Sequence, residues 1–123
     1  MQIGTHTWVI VDGWIPPTGT GSKPEFVSHD TVCIVNAGDA DAQVELLLIF
    51  RDRDPAGPYR LTVPRMRTHH QRFNDLTEPE PIPVATDFSC VVRSNQPVVV
   101  QQTRLDSRQA ENALFSTIAY PAS

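Results

Sequence analysis

The sequence predicts an all-β domain, and its proline content is the main reason. The 123-residue chain contains 11 prolines, and proline interrupts both helices and central strands. The longest proline-free run, from Glu25 to Asp54, has the pattern of strands rather than of a helix. Segments rich in β-branched and aromatic residues recur at about the 8–12-residue spacing that is typical of sandwiches and barrels. These observations predict a single all-β domain that spans residues 1–123.

The first half of the chain contains four strand signals. In order, they are Thr7–Val11, Val27–Val35, Gln43–Phe50 and Tyr59–Val63. The segments between them are rich in Gly, Pro, Asn and Asp, which favour turns. In the third strand the even-numbered positions from Val44 to Phe50 are all apolar, and Leu47 and Ile49 are apolar on the opposite face. We therefore expect this strand to be buried on both faces near its middle.

The second half predicts three further strands and one ambiguous segment. The strands are residues 66–73, Phe88–Arg93 and Val98–Leu105, with a hinge at Ser94–Pro97. In the ambiguous segment Asp106 and Gln109 resemble a helix N-cap pair, whereas Leu114–Tyr120 alternates as a strand does. We expect a turn or a single helical turn at Ser107–Glu111 and then a final strand, which gives roughly 7–8 strands in all.

Charge and hydropathy argue against several classes of protein. The chain has 10 Lys+Arg and 14 Asp+Glu, for a net charge of −4, which does not suit a general nucleic-acid coat. Its longest unbroken apolar run, Leu46–Phe50, is far too short to span a membrane, and the first residues lack a signal-peptide pattern. Cys33 and Cys90 both lie among aliphatic residues, so we expect two small core residues of a cytoplasmic protein.

No motif predicts an enzyme, a metal site or a cofactor. Ser28, His29 and Asp30 are adjacent, and adjacent side chains on a strand point to opposite faces, so they do not form a triad. His69 and His70 diverge for the same reason. The sequence contains no nucleophile elbow, P-loop or dinucleotide-binding fingerprint. We therefore predict no catalytic residue, no metal ligand and no cofactor.

Two groups of arginines supply most of the candidate binding residues, since nine of the ten cations are arginine. The first group is a basic stripe in which Arg65 and Arg67 share one strand face and Arg72 lies on the other. This stripe could contact an anionic partner, or it could be a solvated edge strand that resists aggregation.

The second group lies in the polar block Gln101–Asn112. Here Arg104 could pair with Asp106, and Arg108 with Glu111, as a structural corner, a subunit contact or a small polar pocket. Trp14 joins the candidates because an aromatic face can stack on a sugar ring, although core or subunit-interface packing is the more common role of a tryptophan. The candidate partner- or ligand-binding residues are thus Arg65, Arg67, Arg72, Arg104, Asp106, Arg108 and Trp14.

Several longer motifs resemble those of one known family. They are Gly13–Pro17, Ser28–Asp39, Gly57–Pro64, Arg72–Leu76, Thr86–Ser89, Thr103–Leu114 and Ser116–Tyr120. Together they resemble the sensory rhodopsin transducer family, named for the soluble cytoplasmic partner of a cyanobacterial sensory rhodopsin. The likeness runs nearly from end to end, and the departures lie at Thr18–Lys23, Arg65–His70 and the short tail after Tyr120.

The resemblance implies more than the residues alone predict. It implies an antiparallel, jellyroll-like β-sandwich that assembles as a homotetramer, and a non-enzymatic transducer that binds the cytoplasmic face of a sensory rhodopsin. It also implies a transcriptional output, weak DNA binding and a pocket for a sugar-like small molecule, whereas the net charge of −4 favours weak or no DNA binding. The alternative is a binding module for a carbohydrate-like or anionic metabolite, with no link to a rhodopsin.

Overall fold

Eight strands and one 3₁₀ turn form the regular structure of the computed structural model, which describes residues 1–123. The elements are β1 (Thr5–Gly13), β2 (His29–Asn36), β3 (Ala42–Phe50), β4 (Ala56–Val63), β5 (Arg67–Arg72), the 3₁₀ turn (Phe73–Asp75), β6 (Phe88–Asp106), β7 (Ala113–Ile118) and β8 (Tyr120–Pro121). All the strand pairings are antiparallel. The predicted all-β fold, with its number of strands, is confirmed.

The strands form two sheets that face each other. Sheet A has the order β4-β3-β6-β1-β8. Sheet B consists of β5, β2, the second half of β6, and β7, in that order. One hydrophobic cluster of 21 buried residues, with Tyr59 and Phe73 among its largest members, lies between them. The arrangement is the β-sandwich that the sequence analysis expected.

Strand β6 corrects one prediction. Two strands with a hinge at Ser94–Pro97 were expected, but residues 88–106 form one strand of 19 residues. Its pairing with β3 ends at Ser94, its pairing with β2 begins at Val99, and the register against β1 shifts in between. Because Pro97 lies where the ladders change over, its missing N–H costs no ladder hydrogen bond, and the strand continues through it.

Two expectations about burial are also wrong. Strand β3 is not buried on both faces, since Ile49 is 43% exposed and Leu47 only half-buried on the outer face of sheet A. Cys90 is a core residue as expected, but Cys33 lies half-buried on the outer face of sheet B, and both cysteines are free. An apolar residue on a strand is buried only if another layer covers its face, and this chain supplies two layers.

The segment after β6 contains no helical turn. Residues 108–111 form a bend in which the chain changes direction, so the single helical turn that was one of the two alternatives is wrong. The side chain of Asp106 accepts the backbone N–H of Arg108 (3.2 Å), and the N–H of Ser107 donates to Ser28 Oγ (2.9 Å). These side chains satisfy donors in a non-helical conformation, as Asp and Ser commonly do.

Candidate functional site

A buried carboxylate, that of Asp30, lies at the centre of the candidate site. The antiparallel register places Asp30 of β2 opposite Arg104 of β6, so both side chains lie on the inner face of sheet B. Asp30 is fully buried, and its Oδ2 accepts hydrogen bonds from Arg104 Nε (3.3 Å) and Nη2 (3.1 Å) and from the N–H of Trp14 (2.9 Å). The amide of Gln102 donates to both carboxylate oxygens at 3.1 Å.

Two opposing effects act on the charge of Asp30. Burial raises the pKa of its carboxyl group, and the hydrogen bonds from Trp14, Gln102 and Arg104 oppose that rise. The guanidinium of Arg104 is itself mostly buried, and Asp12, its other acidic neighbour at 3.5 Å, is largely exposed. The pair between Arg104 and Asp30 is therefore a buried ion pair in which each charge depends on the other.

Two arginine–aromatic stacks continue from this ion pair towards the surface. The guanidinium of Arg104 lies 5.0 Å from the ring centre of Phe115 on β7, and that of Arg108 lies 4.8 Å from the ring centre of Trp14. Arg108 also binds Asp106 through Nη2 (2.7 Å) and Nε (2.9 Å), which lowers the pKa of the Asp106 carboxyl group. We call Trp14, Asp30, Arg104, Asp106 and Arg108 the arginine corner.

The pairing predicted within this block is wrong. Arg104 was expected to pair with Asp106, and Arg108 with Glu111, but Arg104 binds Asp30 and Arg108 binds Asp106. The side chain of Arg104 points inwards to a carboxylate that is far away in the sequence, which leaves Asp106 free for Arg108.

Ser107 ties the corner to the loop between β1 and β2. Its Oγ donates to the carbonyl of Phe26 (2.7 Å), and its carbonyl accepts the N–H (2.7 Å) and Oγ1 (2.8 Å) of Thr20. Ser107 is completely buried, although it lies beside an exposed bend. The loop and the β6–β7 connection therefore form one hydrogen-bonded unit, and the stack of Arg108 on Trp14 lies at its surface.

Arg72 lies in a separate groove on the outer face of sheet B. This groove of about 390 Å³ is lined by His29, Thr31, Cys33, His70, Arg72, Gln101 and Thr103. Arg72 donates to the carbonyl of Pro24 (3.0 Å) and so connects the groove to the β1–β2 loop. Burial, with Arg72 as a second cause, lowers the pKa of His29, and burial raises the pKa of Cys33. The groove thus presents hydroxyl, amide and imidazole groups beside one cation.

Comparison with known proteins identifies the family. A family model described as Anabaena sensory rhodopsin transducer matches residues 3–121. The chain belongs to the Anabaena sensory rhodopsin transducer family. A solved structure named Anabaena sensory rhodopsin transducer is 57% identical, with a TM-score of 0.76, over 84% of this chain and 99% of that one.

A second solved structure supports the same fold at lower identity. The crystal structure of Thermotoga maritima 1070 is 33% identical, with a TM-score of 0.85, over 95% of this chain and 94% of that one. No curated protein matches the chain. The transducer chain also contains no helix with the length and apolar character needed to cross a membrane.

Arg65 and Arg67 lie apart from the arginine corner of this transducer chain. They lie on either side of Met66, which is in the turn between β4 and β5 and has a positive φ of 53°. Because this residue is not in an extended conformation, the alternation of side chains between two strand faces does not continue through it. The N–H of Arg65 donates to Asp41 (2.9 Å), and the adjacent cavity of about 470 Å³ is lined by both arginines together with Asp39 and Asp41. The predicted basic stripe is therefore divided, and its first two members lie beside two carboxylates.

Of the seven candidate residues, the structure brings four together at the arginine corner. These are Trp14, Arg104, Asp106 and Arg108. Two residues that bind the corner from inside, Asp30 and Gln102, were not among the predicted candidates. The sequence did contain one indication of the role of Asp30. In the predicted strand Asp30 lies on the same face as the apolar residues Val32 and Ile34, and a carboxylate on a buried face needs a hydrogen-bonding or charged partner.

Proposed function

We propose that this chain is a non-enzymatic signalling transducer that forms a homotetramer in the cytoplasm and binds the cytoplasmic face of a sensory rhodopsin-type receptor. The observation that carries the proposal is the family match over residues 3–121. The 57% identity to the structure named Anabaena sensory rhodopsin transducer supports it. We further propose that residues 1–123 act as one domain and that the signal ends in a transcriptional output.

Charge complementarity supports docking to a membrane receptor. Cytoplasmic loops of membrane proteins carry an excess of Lys and Arg, and this chain has a net charge of −4. Asp75, the last residue of the 3₁₀ turn, and Glu78, which follows it, are both exposed, so they offer carboxylates to basic loops. Such a contact would speed association and would weaken as salt screens it.

The test is binding of the purified chain to its cognate rhodopsin in lipid nanodiscs, in the dark and in the light, over a range of salt concentrations. We expect binding that weakens with salt and changes with illumination. Asp75→Asn with Glu78→Gln should weaken it several-fold. The matched control is Asp52→Asn with Asp54→Asn, which removes two exposed carboxylates from the β3–β4 turn. Absence of salt-sensitive binding by the wild-type chain would reject the proposal.

A small-molecule binding module is the second candidate, because the groove on sheet B combines hydroxyl, amide and imidazole groups with Arg72. Thermal-shift measurements with neutral sugars and with anionic carboxylates or phosphates test it. A ligand at a hundredfold excess over Kd should stabilise the fold by about 2.7 kcal/mol. Arg72→Gln should abolish a shift caused by anions but not one caused by sugars, and Arg60→Gln on the outer face of sheet A is the control. If neither class shifts the transition, the groove is not a ligand site.

DNA binding is proposed to be weak or absent. The arginines at the β4–β5 turn lie beside Asp39 and Asp41, so the local positive charge is largely offset, whereas DNA binding needs uncompensated cations. We expect Arg65→Ala with Arg67→Ala to leave retention on duplex DNA unchanged. Strong, salt-dependent retention that this double variant abolishes would contradict the expectation.

A further inference from the structure

The groove on the outer face of sheet B is built from two neighbouring rows of side chains. In one row the register places Thr31 of β2 between Arg72 of β5 and Thr103 of β6. The next row consists of His70, Cys33 and Gln101. Cross-strand partners lie on the same face of a sheet, so these side chains, together with His29, surround one cavity of about 390 Å³. That volume lies in the range of small-molecule sites.

Arg72 brings a permanent positive charge to this groove and has no acidic partner. None of the four ion pairs of the chain includes Arg72. Its one hydrogen bond runs from Nη2 to the uncharged carbonyl of Pro24 (3.0 Å). A guanidinium has five N–H donors in a planar fork, so most of the donors of Arg72 have no protein acceptor. The lining of the groove contains no Asp or Glu, and its charge is therefore positive.

The hydroxyl groups beside Arg72 supply further hydrogen-bond donors. Thr31 is only 5% exposed, and its Oγ1 lies 2.9 Å from Nδ1 of His29. Oγ1 of Thr103 lies 3.0 Å from Oγ of Ser116 on β7. A threonine hydroxyl can take part in three hydrogen bonds, and these two take part in one and two, so each can bind a ligand oxygen. A guanidinium fork beside hydroxyl donors is suited to a phosphate or a carboxylate group.

The same lining disfavours other classes of ligand. Cys33 is the only apolar side chain in it, and it contains no aromatic ring. An apolar molecule would therefore find little surface to cover, and a sugar ring would find no aromatic face on which to stack. The positive charge of Arg72 opposes a cation. An anion gains from this charge, and it leaves no buried carboxylate in the groove to repel it.

We propose that this groove binds a small molecule through an anionic oxygen group, either a phosphate or a carboxylate. Arg72 supplies the charge and the forked N–H donors, and Thr31 and Thr103 supply hydroxyl donors. The inference rests on the second proposed function, the small-molecule binding module, and it narrows the ligand of that module to an oxyanion. The bond from Arg72 to Pro24 also holds the β1–β2 loop next to the bound group.

His29 provides a measurement at the site itself. Burial is the main cause that lowers its pKa, Arg72 lowers it further, and Asp75 in the 3₁₀ turn acts in the opposite direction. The other titratable groups in the groove are His70 and Cys33, and β6 presents only uncharged side chains there. An anion bound to Arg72 would offset the positive charge beside His29. The pKa of His29 should therefore rise when the groove is filled.

The experiment is calorimetric titration of the full chain with sulfate, inorganic phosphate, succinate and glucose, at an ionic strength held constant with sodium chloride. We expect saturable binding of at least one anion. Sulfate and phosphate test a tetrahedral group, and succinate tests a carboxylate. Arg72→Gln should weaken the binding roughly tenfold or more, since a hydrogen bond to a charged group is lost. Arg60→Gln, on the outer face of sheet A, is the matched control and should change the affinity by less than about twofold.

Two further variants separate the roles of charge and geometry. Arg72→Lys keeps the charge and loses the planar fork, so its affinity should lie between those of the wild type and of Arg72→Gln. It also replaces the Gln variant in the test if that variant fails to fold by circular dichroism. Thr31→Val with Thr103→Val removes both hydroxyls at nearly constant volume and should weaken binding several-fold while Arg72 stays in place.

An imidazole NMR titration then locates the bound anion. Saturating sulfate should raise the pKa of His29 and leave unchanged that of His69, which bonds Gln71 on the opposite face of β5. If the pKa of His29 does not move, or if the wild type and Arg72→Gln bind equally, the anion lies elsewhere and the inference is wrong. Binding of glucose without any anion would overturn the inference and leave the binding module standing. If no probe binds, the inference and the binding module fail together.

Discussion

Replacement of Arg104 by Met should destabilise the fold strongly. The change removes the only cation that touches the fully buried Asp30, together with its bonds at 3.1 and 3.3 Å to Oδ2. The N–H of Trp14 and the amide of Gln102 remain, but neither carries charge. Breaking one partner of a buried ion pair typically costs about 3–5 kcal/mol in the free energy of unfolding, and the lost stack on Phe115 adds roughly 0.5–1 kcal/mol.

The assay is urea denaturation followed by tryptophan fluorescence at one fixed protein concentration, since assembly adds to the apparent stability. Asp12→Asn is the control, because it removes the other carboxylate near Arg104. The Asp12 side chain is largely exposed and lies 3.5 Å from Arg104, so this change should cost less than about 1 kcal/mol in the free energy of unfolding. In the Arg104→Met variant, burial raises the pKa of Asp30 further because the neighbouring positive charge is gone. The loss in the free energy of unfolding should therefore be larger at pH 7 than at pH 4, where the carboxyl group can be neutral. A loss below about 1 kcal/mol at pH 7, equal to that of the control, would refute the reasoning.

Three further predictions follow from individual contacts. Arg108→Gln should raise the pKa of Asp106 towards its ordinary value, because the hydrogen bonds from Arg108 lower that pKa. An NMR titration of the carboxyl group measures the change, and an unchanged pKa would contradict the prediction. The pKa of His29 lies below its ordinary value of 6.5, chiefly because of burial. The unfolded chain therefore takes up the proton at a higher pH than the folded chain, and the stability of the fold should fall as the pH drops below 6.5. Arg72→Gln should raise this pKa and reduce the fall, and an imidazole NMR titration that shows no movement would exclude the coupling. Tyr59→Phe should cost about 1 kcal/mol in urea denaturation, because the buried hydroxyl donates a 2.6 Å hydrogen bond to a backbone carbonyl; no loss would show that water replaces that bond.

The fold was largely predictable because strand signals are local. The alternation in β3 follows directly from the sequence, and it places the even-numbered positions in the core. The continuity of β6 was not predictable, because a proline ends most central strands. Pro97 is tolerated only because the ladders on both sides change partners around it. That exchange is a property of the assembled sheets.

The site was only partly predictable, because its central contact joins distant residues. The polar block after Val100 indicated Arg104, Asp106 and Arg108 as candidates. The partner of Arg104 could not be inferred from nearby residues, since it comes from the β2–β6 register that sets Asp30 opposite Arg104. The exposure of the outer face of sheet A was likewise hidden, because Leu47 and Ile49 have the composition of core residues. Only the number of layers shows that nothing in the chain covers them.

The continuity of β6 has a consequence for how the chain unfolds. This one strand is hydrogen-bonded to β1 and β3 in one sheet and to β2 and β7 in the other. The residues that pair in sheet A are followed directly, along the same backbone, by those that pair in sheet B, so fraying of one ladder disturbs the first pairs of the other. The two sheets should therefore melt in one transition, and the amide hydrogens of β6 should exchange with solvent only when the whole molecule opens.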